Sequence, residues 1–168
     1  MIIIFGIGND IKNLLKTRHN AGFMLIDAIN NKYKYNHNHN LLSLYKNIGY
    51  TINSAGEYLI NITKLKDLWV AYDDLEVELG KIKWSWGISA KGHNGLKNII
   101  SKIGIDFGRI RIGISRPQNI DITDYVLSEE KSPLLYESIE FAAKICIEYH
   151  SLLKNQNLEA LRKLSQCK

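Results

Sequence analysis

Ile2-Ile3-Ile4-Phe5-Gly6-Ile7-Gly8 restricts the fold of this chain more than any other stretch. It is β-branched and aromatic, shows no polar alternation, and is closed by two glycines. Such a short run reads as a strand buried on both faces, near the middle of a sheet. Asn9-Asp10 follows at once, at the strand's carboxyl end. In open α/β sheets that is the edge where ligands gather.

The rest of the chain supplies helices and further strands. From Ala21 to about Asn31 the residues Phe23, Met24, Ile26, Ala28 and Ile29 form an apolar stripe at helical spacing. Leu41–Tyr45 and Ile48–Ile52 read as short strands. Ser54 with Glu57 three residues on is a capping-box pattern, which predicts a helix to about Lys66. Leu68–Tyr72 is a strand ending in Asp73-Asp74, and Gly80–Trp86 alternates as a strand with one wet face does. Asn94 is placed to cap a helix carrying Leu96, Ile99, Ile100 and Ile103, which Gly104 ends. Arg109–Ile114 alternates again, with both arginines on one face. Ser132-Pro133 opens a long helix to about Leu153, and Leu158–Leu164 is a last short one. Strands and helices intermix without a strict βαβ repeat. The expectation is one α/β domain over residues 1–168: a mixed twisted β-sheet with helices on both faces.

Bulk properties exclude more than they assign. At 168 residues the chain can bury a real core. A net charge of +5 leans toward an anionic partner, but only clustered cations would give it meaning. No stretch approaches the roughly 18 apolar residues that span a bilayer, and Met1–Phe5 is too short for a signal core. Cys146 and Cys167 have no metal or redox spacing. A reducing cytoplasm is the expected compartment. His37 and His39 read as part of a polar loop, since no third metal ligand is nearby.

Five polar residues fall where strands meet loops or helices: Asn9, His19, Asn53, Asp73 and Asn94. Asparagine occurs at 16 positions, so only this placement singles these three out. His19, in Thr17-Arg18-His19-Asn20-Ala21-Gly22, sits where a loop becomes a helix. Imidazole titrates near neutrality, and a carboxylate on one ring nitrogen fixes the tautomer that leaves the other free to take a proton. Asp73 is placed to do this. Amide side chains can hold a peptide group or an oxyanion without adding charge. There is no Gly-x-Ser-x-Gly elbow and no paired cysteine, so the chemistry implied is base-activated water attacking a carbonyl.

These segments, in order, resemble bacterial-type peptidyl-tRNA hydrolases. They are Gly6-Ile7-Gly8-Asn9, Thr17–Gly22, Ile52–Gly56, Val70–Glu76, Gly92–Lys97, Arg109–Ile114 and Asp124–Leu127. The resemblance covers nearly the whole chain. It implies hydrolysis of the ester joining a peptide to the 3′-terminal ribose of tRNA, by a monomer without metal or organic cofactor. It gives His19 the role of general base, Asp73 that of its orienter, and Asn9, Asn53 and Asn94 contacts with substrate. Arg111 matches a phosphate-binding arginine, and Lys97, Lys102 and Arg109 are expected to join it in a patch for tRNA phosphates.

The chain departs from the family pattern in places. Asp10-Ile11 stands where Pro-Gly is usual, and Ser85 where some members carry a lysine, so Lys83 or Lys91 would have to compensate. The loop 87–91 has fewer glycines, and the segment from Asn53 to Asp73 is shorter. His93 is expected to hold the loop before the Asn94 helix, with Asp74 and Glu76 as solvated neighbours of Asp73. Tyr72, Trp84 and Trp86 are expected to pack in the core or on the sheet. A non-catalytic RNA-binding module and a small-molecule esterase are the competing readings.

Overall fold

The computed structural model describes residues 1–33, 41–62 and 67–166. The polar run expected at 34–40, the far end of the helix predicted to reach Lys66, and Cys167 lie outside the described residues. Five strands form one sheet: β1 (Ile2–Gly6), β2 (Leu42–Lys46), β3 (Leu68–Asp74), β4 (Ile82–Trp86) and β5 (Gly108–Gly113). Their order is β2-β1-β3-β5-β4; only β4 runs antiparallel to its neighbour. The Ile2–Gly6 strand is therefore paired on both edges, and all five of its residues are buried.

Alternation along the strands divides the core. Ile2, Ile4, Trp69, Ala71, Ile110 and Ile112 face α1 (Ala21–Tyr33) and α5 (Pro133–Glu148). Ile3, Phe5, Val70 and Tyr72 face α2 (Ala55–Leu59) and α3 (Asn94–Ile103). Helices on both faces follow from strands that are apolar on both sides. Short helices α4 (Ile122–Leu127), α6 (His150–Lys154) and α7 (Leu158–Gln166) complete the described chain. No helix among the described residues is long and apolar enough to cross a membrane.

One close approach places the functional edge. A Cβ at Gly22 would lie 2.3 Å from the Ala71 carbonyl and 2.5 Å from the Ile7 carbonyl, and one at Gly6 would lie 2.4 Å from the Gly22 carbonyl. The first turn of α1 thus rests directly on the carboxyl ends of β1 and β3. Side chains just before that turn project over the same edge.

Several local expectations are corrected. Ile48–Ile52 is not a strand. The Tyr50 amide bonds the Asn47 carbonyl at 3.0 Å and Gly49 has φ +79°, which makes a glycine-dependent β-turn. A 3-10 turn, Ile52–Ser54, comes next. Ser54 does not cap α2, because its hydroxyl is taken by Thr51. The helix ends at Leu59, where Asn61 Nδ2 takes the Glu57 carbonyl. His93, not Asn94, caps α3 by accepting the Leu96 amide on Nδ1 at 3.3 Å. The long C-terminal helix breaks at Tyr149 into α5 and α6. Neither face of β5 is wet: all six residues are buried.

Candidate active site

Asn9, His19, Asn53, Asp73 and Asn94 all line one cavity of about 510 Å³ at the carboxyl edge of the sheet. The structure brings together residues that are as far apart in sequence as 9 and 94. Each arrives by its own element. Asn9 follows β1, and His19 lies in the 3-10 turn Arg18–Asn20 that runs into α1. Asn53 lies in the Ile52–Ser54 turn, Asp73 near the end of β3, and Asn94 in the first turn of α3.

The chemistry centres on Asp73, which is 4 % exposed. His19 Nδ1 lies 2.9 and 3.0 Å from its two carboxylate oxygens. His93 Nε2 lies 3.3 Å from Oδ1. Because His93 Nδ1 accepts the Leu96 amide, its proton must sit on Nε2 and point at Asp73. The carboxylate therefore takes a donor from each ring. With Nδ1–H spent on Asp73, His19 Nε2 carries the free lone pair.

Charge tuning follows from this contact. Burial works against charge on His19, but the Asp73 carboxylate and the hydrogen bond to it prevail and raise the imidazole above its ordinary value. Burial likewise pushes the Asp73 carboxyl up. The His19 charge and the bonds from both histidines override it and hold the group well below the usual carboxylate range. Potential ligand atoms of His19, Asp73 and His93 lie within 4.8 Å of one another, close enough for a metal. However, both ring nitrogens are already directed at the carboxylate. A metal on Nδ1 would displace the proton to Nε2 and remove the base, so the arrangement suits proton transfer better.

The amides are oriented too. Asn9 Oδ1 accepts the Ile52 amide at 3.2 Å, and Asn94 Oδ1 accepts Lys97 Nζ at 3.3 Å. In both, the NH₂ is left to donate. The backbone carrying Asn9 is clamped by two buried asparagines. Asn20 binds its amide and carbonyl at 2.6 and 2.9 Å. Asn47 binds the amide and carbonyl of Gly8 at 3.0 and 2.7 Å, and the Tyr50 carbonyl at 3.0 Å. Sequence reasoning left Asn47 out, since nothing local separates it from the other asparagines. Arg18 bonds Glu130 and the carbonyls of Tyr125 and Ser128, tying the His19 turn to α4. Ile122, Val126 and Leu127 of α4 give the cavity an apolar wall. The Asp121 cap of that helix was the signal for it.

The expected phosphate patch is corrected. Arg109 is fully buried, bonded to the Phe107 and Ile88 carbonyls with its guanidinium 3.3 Å from the Phe107 ring centre. An enclosed guanidinium is not available to a phosphate. Lys102 pairs with Glu57 at 2.7 Å, and Lys97 stands beside Asn94. Neither lines the second cavity, where Arg111 is found. Asp74 is not solvated: it is 6 % exposed and holds Arg111 Nε at 2.7 Å. Glu76 pairs with Arg116 at the cavity rim. Tyr72 and Trp84 are core residues, and Trp84 and Trp86 both pack edge-on against Trp69.

Residues 3–168 match the family model described as peptidyl-tRNA hydrolase. The chain belongs to the peptidyl-tRNA hydrolase family. Among similar members, the peptidyl-tRNA hydrolase of Bacillus subtilis is 36% identical over 87% of this chain and 90% of its own length. That of Rickettsia rickettsii is 30% identical over 98% of this chain and 100% of its own. The crystal structure of peptidyl-tRNA hydrolase from Acinetobacter baumannii superposes with a TM-score of 0.80, at 26% identity, covering 98% of this chain and 94% of that one. Membership makes this chain a hydrolase of that family, with the family's α/β fold.

Proposed function

We propose that the chain hydrolyses peptidyl-tRNA at the ester between the peptide and the 3′-terminal ribose, with His19 as general base. The observation that carries this reading is the His19 Nδ1–Asp73 contact at 2.9 Å, which leaves Nε2 unprotonated toward the cavity. A water bonded to Nε2 loses its proton to the ring as its oxygen attacks the ester carbonyl. The carbonyl oxygen becomes an oxyanion, met by the Asn94 and Asn9 amide donors. Collapse expels the ribose oxygen, which recovers the proton from the imidazolium. Asp73 stays ionised and offsets the positive ring.

The magnitudes suit an ester. A placed base is worth on the order of 10² to 10⁴ in rate, and one oxyanion donor roughly 3–4 kcal/mol. No covalent intermediate is required. Selectivity for peptidyl- over aminoacyl-tRNA fits the asparagine lining: Asn9, Asn53 and Asn94 bond a peptide group without charge and leave a free ammonium poorly paired. The three carboxylates lining the same cavity are already engaged, Asp73 by His19 and His93, Asp74 by Arg111 and Glu76 by Arg116. The apolar wall from α4 suits side chains of any sequence. Arg111 is the family-matched contact for a tRNA phosphate, and Lys97, beside Asn94, is read as a second cation for the same substrate.

The test is release of peptide from N-acetyl-aminoacyl-tRNA. His19→Ala is expected to lose about 10² to 10⁴ in kcat while still binding deacylated tRNA. Wild-type protein that binds tRNA but releases no peptide would favour a binding module. Equal turnover of free aminoacyl-tRNA would indicate an unselective esterase.

A further inference from the structure

Arg18 stands directly before the base in the turn Arg18–Asn20, and the reaction described above gives it no part. It does not line the active-site cavity. Its guanidinium gathers the end of α4 instead. Nη1 donates to the carbonyls of Tyr125 and Ser128 at 3.2 and 3.4 Å and to the Ser128 hydroxyl. Nε donates to Glu130 at 2.8 Å, and the group lies 4.2 Å from the Tyr125 ring centre. The last carbonyls of a helix have no partner inside it, and its negative end favours a cation. Arg18 thus caps α4 from another element. The main chain repeats the contact: the Arg18 amide donates to the Ser128 carbonyl at 3.2 Å, and Thr17 bridges to Glu129. Glu130 is fixed in turn by the Ser132 amide at the start of α5. Ile122 and Leu127, on the cavity wall, are 43 % and 37 % exposed. An acyl side chain set against them buries apolar surface and bears on α4.

We infer that Arg18 is a positioning residue: it joins the apolar wall on α4 to the turn that carries His19, so that a peptide side chain held by the wall steadies the base. This rests on the peptidyl-tRNA reading above and adds to it a residue outside the cavity. Binding energy from parts of a substrate that do not react raises kcat only when it is spent on orientation at the reacting centre. That requires a stiff connection, since a misplacement of about 1 Å can cost on the order of 10²-fold in rate. The planar fork of Arg18 supplies one by spanning Glu130 and the α4 carbonyls together; a lysine ammonium would keep the charge without the span. The wall admits any side chain, and a peptide whose residue at the ester is apolar and fills it gains in kcat.

The test compares kcat and KM on N-acetyl-leucyl-tRNA and N-acetyl-glycyl-tRNA. In the wild type, leucine should raise kcat severalfold over glycine. Arg18→Ala alone would strand the buried Glu130 carboxylate. The probe is therefore the double variant Arg18→Met/Glu130→Gln, which fills the space, keeps an acceptor for the Ser132 amide and leaves the net charge unchanged. There the leucine advantage should leave kcat and remain only in KM. Arg18→Lys, which keeps the ion pair, should hold the thermal midpoint and still lose most of the kcat advantage; a merely structural role would not separate the two. NMR titration of the His19 ring reads the same link without turnover. Its charged neighbour Asp73 and its ring neighbour His93 are intact in the double variant. A midpoint that falls toward 6.5 there reports a loosened contact with Asp73. A leucine-to-glycine kcat ratio that is the same in wild type and both variants, or an unmoved His19 midpoint in the double variant, overturns the link. A lowered midpoint in a protein that releases no peptide would sustain the link and refute the catalytic reading.

Discussion

In the proposed reaction His19 serves as a base only while Nε2 is unprotonated. Asp73 selects that tautomer and, by its charge, also makes the ring harder to deprotonate. His93 tempers this by giving the carboxylate a second, neutral donor. It has two jobs on one ring, since Nδ1 caps α3. They can be separated. His93→Asn should keep a competent cap and lose the Asp73 contact, lowering kcat severalfold with little change in melting temperature. His93→Ala should lose both and cost about 1 kcal/mol of stability as well. Equal kcat in wild type and both variants would limit His93 to the helix. The residue types of the site were legible in the sequence, because a histidine, a carboxylate and three amides all fell where one element gives way to the next. The second job of His93 was not, since a ring nitrogen's partner depends on a contact 20 residues away. Asp74 was misread for a similar reason: its partner Arg111 lies 37 residues on, in another strand.

At the scale of elements, the site depends on how closely α1 meets the sheet. The Gly22 position leaves no room for a methyl group against the Ala71 and Ile7 carbonyls. Gly22→Ala is expected to destabilise the protein by about 1–3 kcal/mol and to lower kcat by shifting the His19 turn. Denaturant unfolding and peptide release check the two effects, and full stability with full activity would contradict the packing argument. Elements with strong periodicity, such as α1 and α3, were readable. Those settled by side-chain competition were not. Ser54 matched a capping box yet bonds Thr51. Ile48–Ile52 has strand composition, but Gly49 and the Asn47 side chain turn it. Strand order was also beyond reach, because pairing β3 with β5 crosses the whole antiparallel excursion through β4.

For the whole molecule, the modest positive charge matters through its placement. Arg109, which looked like a surface partner of Arg111, is spent inside the fold on carbonyls and a ring. Among the described residues, Lys81, Lys83, Arg111 and Arg162 instead gather where β4 and β5 meet α7, and Lys97 stands beside Asn94. Substrate affinity should therefore fall with salt while kcat holds; KM that is flat across 50–200 mM salt would contradict phosphate anchoring. The acid–base pair at the centre admits a sharper test: kcat/KM on N-acetyl-aminoacyl-tRNA against pH, for wild type and Asp73→Asn. Wild-type activity should rise with pH through a midpoint above 6.5, where the raised imidazole gives up its proton. In Asp73→Asn the carboxylate charge is gone and burial remains, so the midpoint should move to lower pH, with a plateau lower by roughly 10² or more. An unmoved midpoint, or a rate that falls as pH rises through this range, would contradict His19 as the base that Asp73 tunes.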